Sequence, residues 1–237
     1  ALGNKIWESE DSSEFHAYIY QNEERLLIGY VRIPNYVPQD ADKAISDFGK
    51  IIAKFQGTTD GLVIDQINNP GGSVFYLYAL VSMLSDQALK TPQHKMAINQ
   101  SHVMTALSIL DEASGIVDDE TARKKLGETL SGYPVSYEVF RFIVEYANFM
   151  IQEWNEGHRL TRPHYLFGVD RINPSRVAKY TKPILLLTNS LDFSGGDFFP
   201  AILQDNGRVK ILGTRTAGAG GYVLPVSYPN FLGVEKF

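Results

Sequence analysis

One stretch dictates much of the architecture: an apolar strand leads directly into a polar, glycine-containing turn and then into a helix. The strand covers 183–188, the turn covers 190–196, and residues 197–206 have helical spacing. Such a turn presents Ser194 at the end of the strand, where the free N–H groups of the helix face its hydroxyl. The stretch also fits a serine that merely caps the helix, and taken alone it favours the cap.

Strands and helices alternate on either side of this chain's middle third. The sequence predicts strands at 15–20, 26–33, 61–65, 183–188, 208–212 and 222–228, and helices at 41–56, 73–84 and 197–206. This alternation predicts an α/β layer fold with a largely parallel sheet. In such sheets the working loops lie at the carboxyl ends of the strands.

The middle third has a different pattern, in which helix signals dominate. Helices are expected at 101–113, 118–130 and 137–154, and residues 160–180 have no regular periodicity. We therefore divide the chain into a first part of the α/β core at 1–90, a mostly helical insertion at 91–180, and a second part of the core at 181–237, which carries Ser194.

Composition excludes several classes of function. The 237 residues carry a net charge of −5 without a long basic run, which argues against a nucleic-acid partner. The absence of cysteine rules out thiolate zinc sites and a cysteine nucleophile. No spacing typical of metal ligands is present, so we expect neither a metal nor a cofactor. No apolar run approaches the length of a membrane-spanning helix. Both ends of the sequence read as interrupted, so we expect a piece of a longer protein.

Three glycine-rich loops follow predicted strands, at 68–73, 190–196 and 214–221. Acyl transfer needs a nucleophile and N–H donors aimed at the developing oxyanion. Gly71 and Gly72 suit the donor role, because a glycine peptide can face a substrate with no side chain in the way. Each loop alone also fits a plain turn or a flexible surface segment.

Taken together, these loops resemble the tail-specific, or C-terminal-processing, serine peptidases. The matching blocks follow in the family's order and spacing, at 29–34, 61–72, 189–197 and 203–218. The resemblance implies a crotonase-like α/β core and a secreted or exported bacterial endopeptidase that cleaves protein or peptide substrates. By position, Ser194 matches the nucleophile, and Gly71, Gly72 and Gly195 match the oxyanion-hole region. The resemblance leaves a homodimer open as the assembly.

This chain lacks the residue that serves as the general base in one branch of this family. That branch places a lysine where this chain has Ala219, while Lys210 and Lys236 lie elsewhere in the pattern. Another branch uses a histidine and a glutamate, which would lie outside 1–237, and Glu235 comes too early to match that glutamate. We therefore expect residues 1–237 alone to hydrolyse peptides at a near-background rate. None of the five histidines lies in a catalytic-looking motif: they are His16, His94, His102, His158 and His164.

Three functions remain open from the sequence. The first is the catalytic core of a serine endopeptidase. The second is an inactive binding or scaffold module, in which Ser194 only caps a helix. The third is a crotonase-like enzyme that transfers acyl groups from thioesters. A covalent serine probe distinguishes the first function from the other two.

Overall fold

The computed structural model describes residues 3–10 and 14–221. The predicted strand at 222–228, together with Glu235 and Lys236, lies outside them. The helices are α1 (Ala41–Thr58), α2 (Val74–Ser82), α3 (Gln100–Glu112), α4 (Asp119–Leu126), α5 (Tyr137–Asn155) and α6 (Gly195–Asp205). The strands are β1 (Asn4–Glu8), β2 (His16–Gln21), β3 (Leu27–Arg32), β4 (Gly61–Asp65), β5 (Leu89–Lys90), β6 (Gln93–His94), β7 (Thr129–Leu130), β8 (Tyr133–Pro134), β9 (His164–Tyr165), β10 (Arg171–Ile172), β11 (Ile184–Thr188) and β12 (Lys210–Gly213).

Six strands form the central sheet, in the order β1-β2-β3-β4-β11-β12. The four strands β3, β4, β11 and β12 run parallel, whereas β1 and β2 add an antiparallel edge. Side chains alternate across the sheet as expected for extended chain. Val31, Ile64 and Leu186 point into the core and are fully buried, while their neighbours on the other face stay partly exposed. The mixed sheet with its helices confirms the predicted α/β class.

Helix α1 packs one apolar face against the central sheet. Its apolar residues recur at three- and four-residue spacing, so Phe48, Ile52 and Phe55 all face the sheet and are completely buried. The side chain of Asp40 caps the helix by accepting a hydrogen bond from the Lys43 N–H. Gly57 does not end the helix, which was its expected role; α1 continues to Thr58.

The block between the two halves of the core contains α3, α4 and α5. Helices α3 and α5 pack against each other, and they share a small cluster of buried apolar side chains that includes Ala106, Ala147 and Met150. Helix α4 ends at Leu126, earlier than the predicted residue 130, because Gly127 adopts a φ of 89° and the chain then turns into the β7–β8 pair. None of the described helices is both long and apolar enough to cross a membrane.

The segment 160–180 is more ordered than its sequence predicts. It contains β9 and β10, which pair with β6 and β5, so it ties the helical block to the chain that precedes it. These strands are only two residues long, and their periodicity is therefore invisible in the sequence. Strand β1 also went unpredicted. The division of the chain into three parts stays a prediction.

Candidate active site

The three glycine-rich loops come together at one edge of the sheet, as predicted. They follow the carboxyl ends of β4, β11 and β12, and β11 lies between the other two strands. Backbone hydrogen bonds join them: the Phe193 N–H donates to the Asn69 carbonyl at 2.8 Å, and the Ala217 N–H donates to the Asp192 carbonyl at 2.9 Å. The second loop, which carries Ser194, is therefore held between the first and the third.

Ser194 directly precedes α6, but its hydroxyl does not cap that helix. The side chain makes no capping hydrogen bond; instead, the Ser194 carbonyl accepts the N–H groups of Asp197 and Phe198 at 2.9 and 3.2 Å. The backbone has φ 56° and ψ −110°, a combination that a residue with a Cβ rarely adopts. The side chain is half-buried. This geometry leaves the hydroxyl available for chemistry and removes the main support for the capping hypothesis.

The strained backbone at Ser194 predicts that Ser194→Gly unfolds less readily than Ser194→Ala. Glycine tolerates a positive φ without steric cost, whereas alanine keeps the strained Cβ, so we expect a difference of about 1 kcal/mol in the free energy of unfolding. Urea titration of both variants measures it. Ser190 is the matched control, since it lies in the same loop with an ordinary φ. Ser190→Gly should be less stable than Ser190→Ala, the opposite order. If the glycine and alanine variants rank in the same order of stability at both positions, the backbone at Ser194 is not strained.

The turn at Gly71 and Gly72 lies directly against the nucleophile loop. Gly71 has φ 90°, and a Cβ there would lie 2.5 Å from the Phe193 carbonyl oxygen and 2.8 Å from the Ser194 Cβ. Gly72 has φ 145°, and a Cβ there would meet the Tyr36 carbonyl oxygen at 2.3 Å. Only glycine therefore allows this turn to approach Ser194 so closely.

The structure separates the roles of the three predicted oxyanion glycines. The Gly71 N–H already donates to the side-chain oxygen of Asn69 at 2.8 Å, so it is not free to bind a substrate. Within the described residues, the N–H groups of Gly72 and Gly195 have no acceptor. These two peptides are neighbours, because a Cβ on Gly195 would lie 3.3 Å from the Gly72 nitrogen. Gly72 and Gly195 are thus the candidate donors, and Gly71 shapes the turn.

The first and second loops are also joined by buried polar side chains that the sequence analysis did not single out. Asp192 is fully buried and accepts hydrogen bonds from the Asn69 N–H at 3.0 Å and from the Gln66 side-chain amide at 3.1 Å. Gln66 in turn accepts the Tyr36 hydroxyl at 2.9 Å. Burial, reinforced by the Asp192 charge, raises the pKa of Tyr36 well above its usual value, which keeps this hydroxyl a donor. Gln66, Asn69 and Asp192 lie in stretches with no periodicity, so only their polarity next to buried strands could have marked them.

Asp197 fixes the third loop. This residue lies in the first turn of α6, and its carboxylate accepts the N–H groups of Gly218 at 2.8 Å and of Ala219 at 3.1 Å. Ala219 is the position where one branch of the resembled family places its lysine. Its backbone lies beside the nucleophile helix, but its methyl group offers no base. Lys210 lies on β12, on the exposed side of the sheet.

None of the five histidines forms a hydrogen bond with Ser194 among the described contacts. His16 bonds Glu8 on the exposed sheet face at 3.0 Å; three strand steps separate β2 from β11, a distance of about 14 Å at about 4.8 Å per step. His102 caps α3 through Asn99, and His158 bonds the buried Glu153. His94 and His164 face each other across β6 and β9. Within 3–10 and 14–221, therefore, no histidine is hydrogen-bonded to Ser194 as a general base would be.

One group of side chains in the described residues has donor atoms close enough to hold a metal ion. It consists of Glu153, Glu156 and His158, whose ligand atoms lie within 4.8 Å of one another. The Arg162 guanidinium already forms ion pairs with both glutamates. That positive charge takes the place a cation would need, and the group lies in the helical block rather than beside Ser194.

The comparisons with known proteins identify the class to which this fold and this arrangement of loops belong. Residues 27–235 match peptidase family S41, and the chain belongs to that family. The predicted family resemblance is thereby confirmed at the level of peptidase family S41.

The particular relatives are chlamydial. An uncharacterized protein of Chlamydia muridarum is 42% identical over 247 residues, which cover 99% of this chain and 41% of the relative. The crystal structure of mature CPAF, the chlamydial protease-like activity factor, superposes with a TM-score of 0.90 at 40% identity and covers 100% of this chain and 47% of the CPAF chain. The structure of mature CPAF complexed with lactacystin gives the same values. This similarity extends the predicted family resemblance to one particular protein, and the chain spans less than half the length of these relatives.

Proposed function

We propose that this chain carries the nucleophile-bearing core of a serine endopeptidase that hydrolyses peptide bonds in protein substrates. The observation that carries the proposal is the geometry at Ser194. The Ser194 hydroxyl does not cap α6, and the residue lies in a turn with a strained backbone. Beside it are two glycine N–H groups that have no acceptor in the described residues. Membership of peptidase family S41 and the close similarity to mature CPAF support the same function.

The chemistry follows from these groups. The Ser194 Oγ attacks the substrate carbonyl carbon and loses its proton to a general base, and the negative charge develops on the carbonyl oxygen. The N–H groups of Gly72 and Gly195, with the positive end of α6, stabilise that oxyanion. The amine then leaves with a proton returned by the base, and water hydrolyses the acyl-enzyme. We propose that a histidine and a glutamate outside 1–237 supply and orient the base, and that the enzyme acts after export from a bacterial cell.

Covalent labelling tests this function directly. The experiment uses the longest natural polypeptide that carries this sequence. This protein is treated with a fluorophosphonate, digested with a protease and analysed by mass spectrometry. The expected result is one modified peptide, phosphonylated at Ser194. Because a CPAF complex with lactacystin has been solved, lactacystin should slow the labelling. A wild-type protein left unlabelled at Ser194 would contradict the proposal and favour a scaffold or a thioester-dependent enzyme.

A further inference from the structure

The buried carboxylate of Asp192 is the central group in the contact between the nucleophile loop and the glycine turn. Its Oδ1 accepts the Asn69 N–H at 3.0 Å. Its Oδ2 accepts the Asn189 N–H at 2.9 Å and the Gln66 side-chain amide at 3.1 Å. Asp192 therefore bonds its own loop and the facing loop at the same time.

No cation within the described residues neutralises this carboxylate. Asp192 takes part in none of the ion pairs found there, although its side chain is completely buried. A buried charge in that situation depends on its N–H donors, since losing one of them leaves the charge poorly solvated. The three donors must consequently stay in place, and the peptide segments that carry them are held with them.

The position of Asp192 connects these bonds to the reacting groups. Ser194 follows two residues after Asp192, and Gly71 and Gly72 follow two and three residues after Asn69. Gln66 reinforces the link, because the same amide nitrogen also donates to the Gly196 carbonyl at 2.8 Å. A change in the Asp192–Asn69 contact would therefore be transmitted over only two or three residues to the hydroxyl and to the oxyanion donors.

We propose that Asp192 is a positioning residue, which sets the distance between the Ser194 hydroxyl and the N–H groups of Gly72 and Gly195 without touching the substrate. This inference rests on the proposed function, because it concerns the geometry of the same acyl transfer. The proposal adds a requirement that a nucleophile and oxyanion donors alone do not imply. A carboxylate must join the two loops, and each of its two oxygens must accept a hydrogen bond.

The isosteric variant Asp192→Asn tests the requirement. An amide has only one acceptor oxygen, so in either orientation its NH₂ group faces at least one of the three donors. We expect kcat to fall about a hundredfold, which is the effect of a misplacement of about 1 Å, with KM within about threefold of wild type. The rate of fluorophosphonate labelling at Ser194 should fall with kcat.

Glu153→Gln is the matched control, since Glu153 is also a fully buried carboxylate that accepts a backbone N–H. It lies on α5 and its partners His158 and Arg162 belong to the helical block. Measured well below both melting temperatures, this variant should keep kcat within about threefold while losing stability as Asp192→Asn does. If both variants lose kcat equally, Asp192 is merely structural and the proposal is overturned. Retention of kcat in Asp192→Asn overturns it as well.

A milder variant covers the case in which Asp192→Asn does not fold. Gln66→Met keeps the length of the side chain and removes one of the three donors, together with the Gln66 contacts to the Tyr36 hydroxyl and the Gly196 carbonyl. We expect kcat to fall about tenfold with little change in KM. An unchanged kcat overturns the proposal. Failure of the proposed function gives a different result, because wild-type protein would then show no labelling at Ser194 at all.

Discussion

Replacing Ser194 by alanine is expected to lower the rate of peptide hydrolysis by about 10⁴-fold or more, the loss typical of removing a serine nucleophile. The fold should remain intact, because the hydroxyl makes no capping hydrogen bond that alanine would lose. Turnover of a protein substrate and urea unfolding, both measured on the longest natural polypeptide with this sequence, give the two quantities.

Ser190→Ala provides the control for this substitution. Ser190 lies in the same loop but is exposed, so its hydroxyl can be removed without loss of the proposed nucleophile, and activity should stay within about threefold of wild type. If Ser194→Ala retains a tenth or more of wild-type activity, Ser194 is not the nucleophile. One decade of rate corresponds to only about 1.4 kcal/mol of barrier, far less than covalent catalysis supplies.

The core elements were predictable because their signals are local. The strand at 61–65 matches β4 at both ends, since its apolar run stands between turn residues on both sides. The Ser194 turn was visible for the same reason: small and polar residues interrupt two strongly apolar segments. Strand pairs between residues far apart in the chain cannot be predicted from such local signals. Strands β6 and β9 are two residues each and join His94 to His164, seventy positions apart in the chain.

The candidate site was predictable only in part. Glycines mark the loops, so Gly71, Gly72 and Gly195 were found, but the sequence does not reveal which N–H groups are already occupied. That distinction depends on the orientation of Asn69. The pairing of Gln66 with Asp192 was equally hidden, because 126 positions separate the two residues. Polar residues that meet only in the folded chain leave no periodic signal.

Gly71→Ala is expected to reduce kcat/KM by about 100- to 1,000-fold, an effect similar to the loss of an oxyanion donor. The new methyl group would lie 2.5 Å from the Phe193 carbonyl oxygen and 2.6 Å from the Gly195 nitrogen. Both are backbone atoms next to Ser194, and neither can move without displacing the hydroxyl or the oxyanion donor. Steady-state kinetics on a peptide substrate measure the loss.

The control for Gly71→Ala must impose the same backbone cost without the contact. Gly115 meets this need: its φ of 84° is close to the 90° of Gly71, and a Cβ there would touch nothing within 4 Å. Gly115→Ala should therefore lose about 1 kcal/mol of stability and keep its activity. If Gly71→Ala behaves like Gly115→Ala, the close approach of the glycine turn to Ser194 does not govern catalysis. A loss confined to Gly71→Ala ties the rate to the space between the two loops, because the conformational cost is common to both variants.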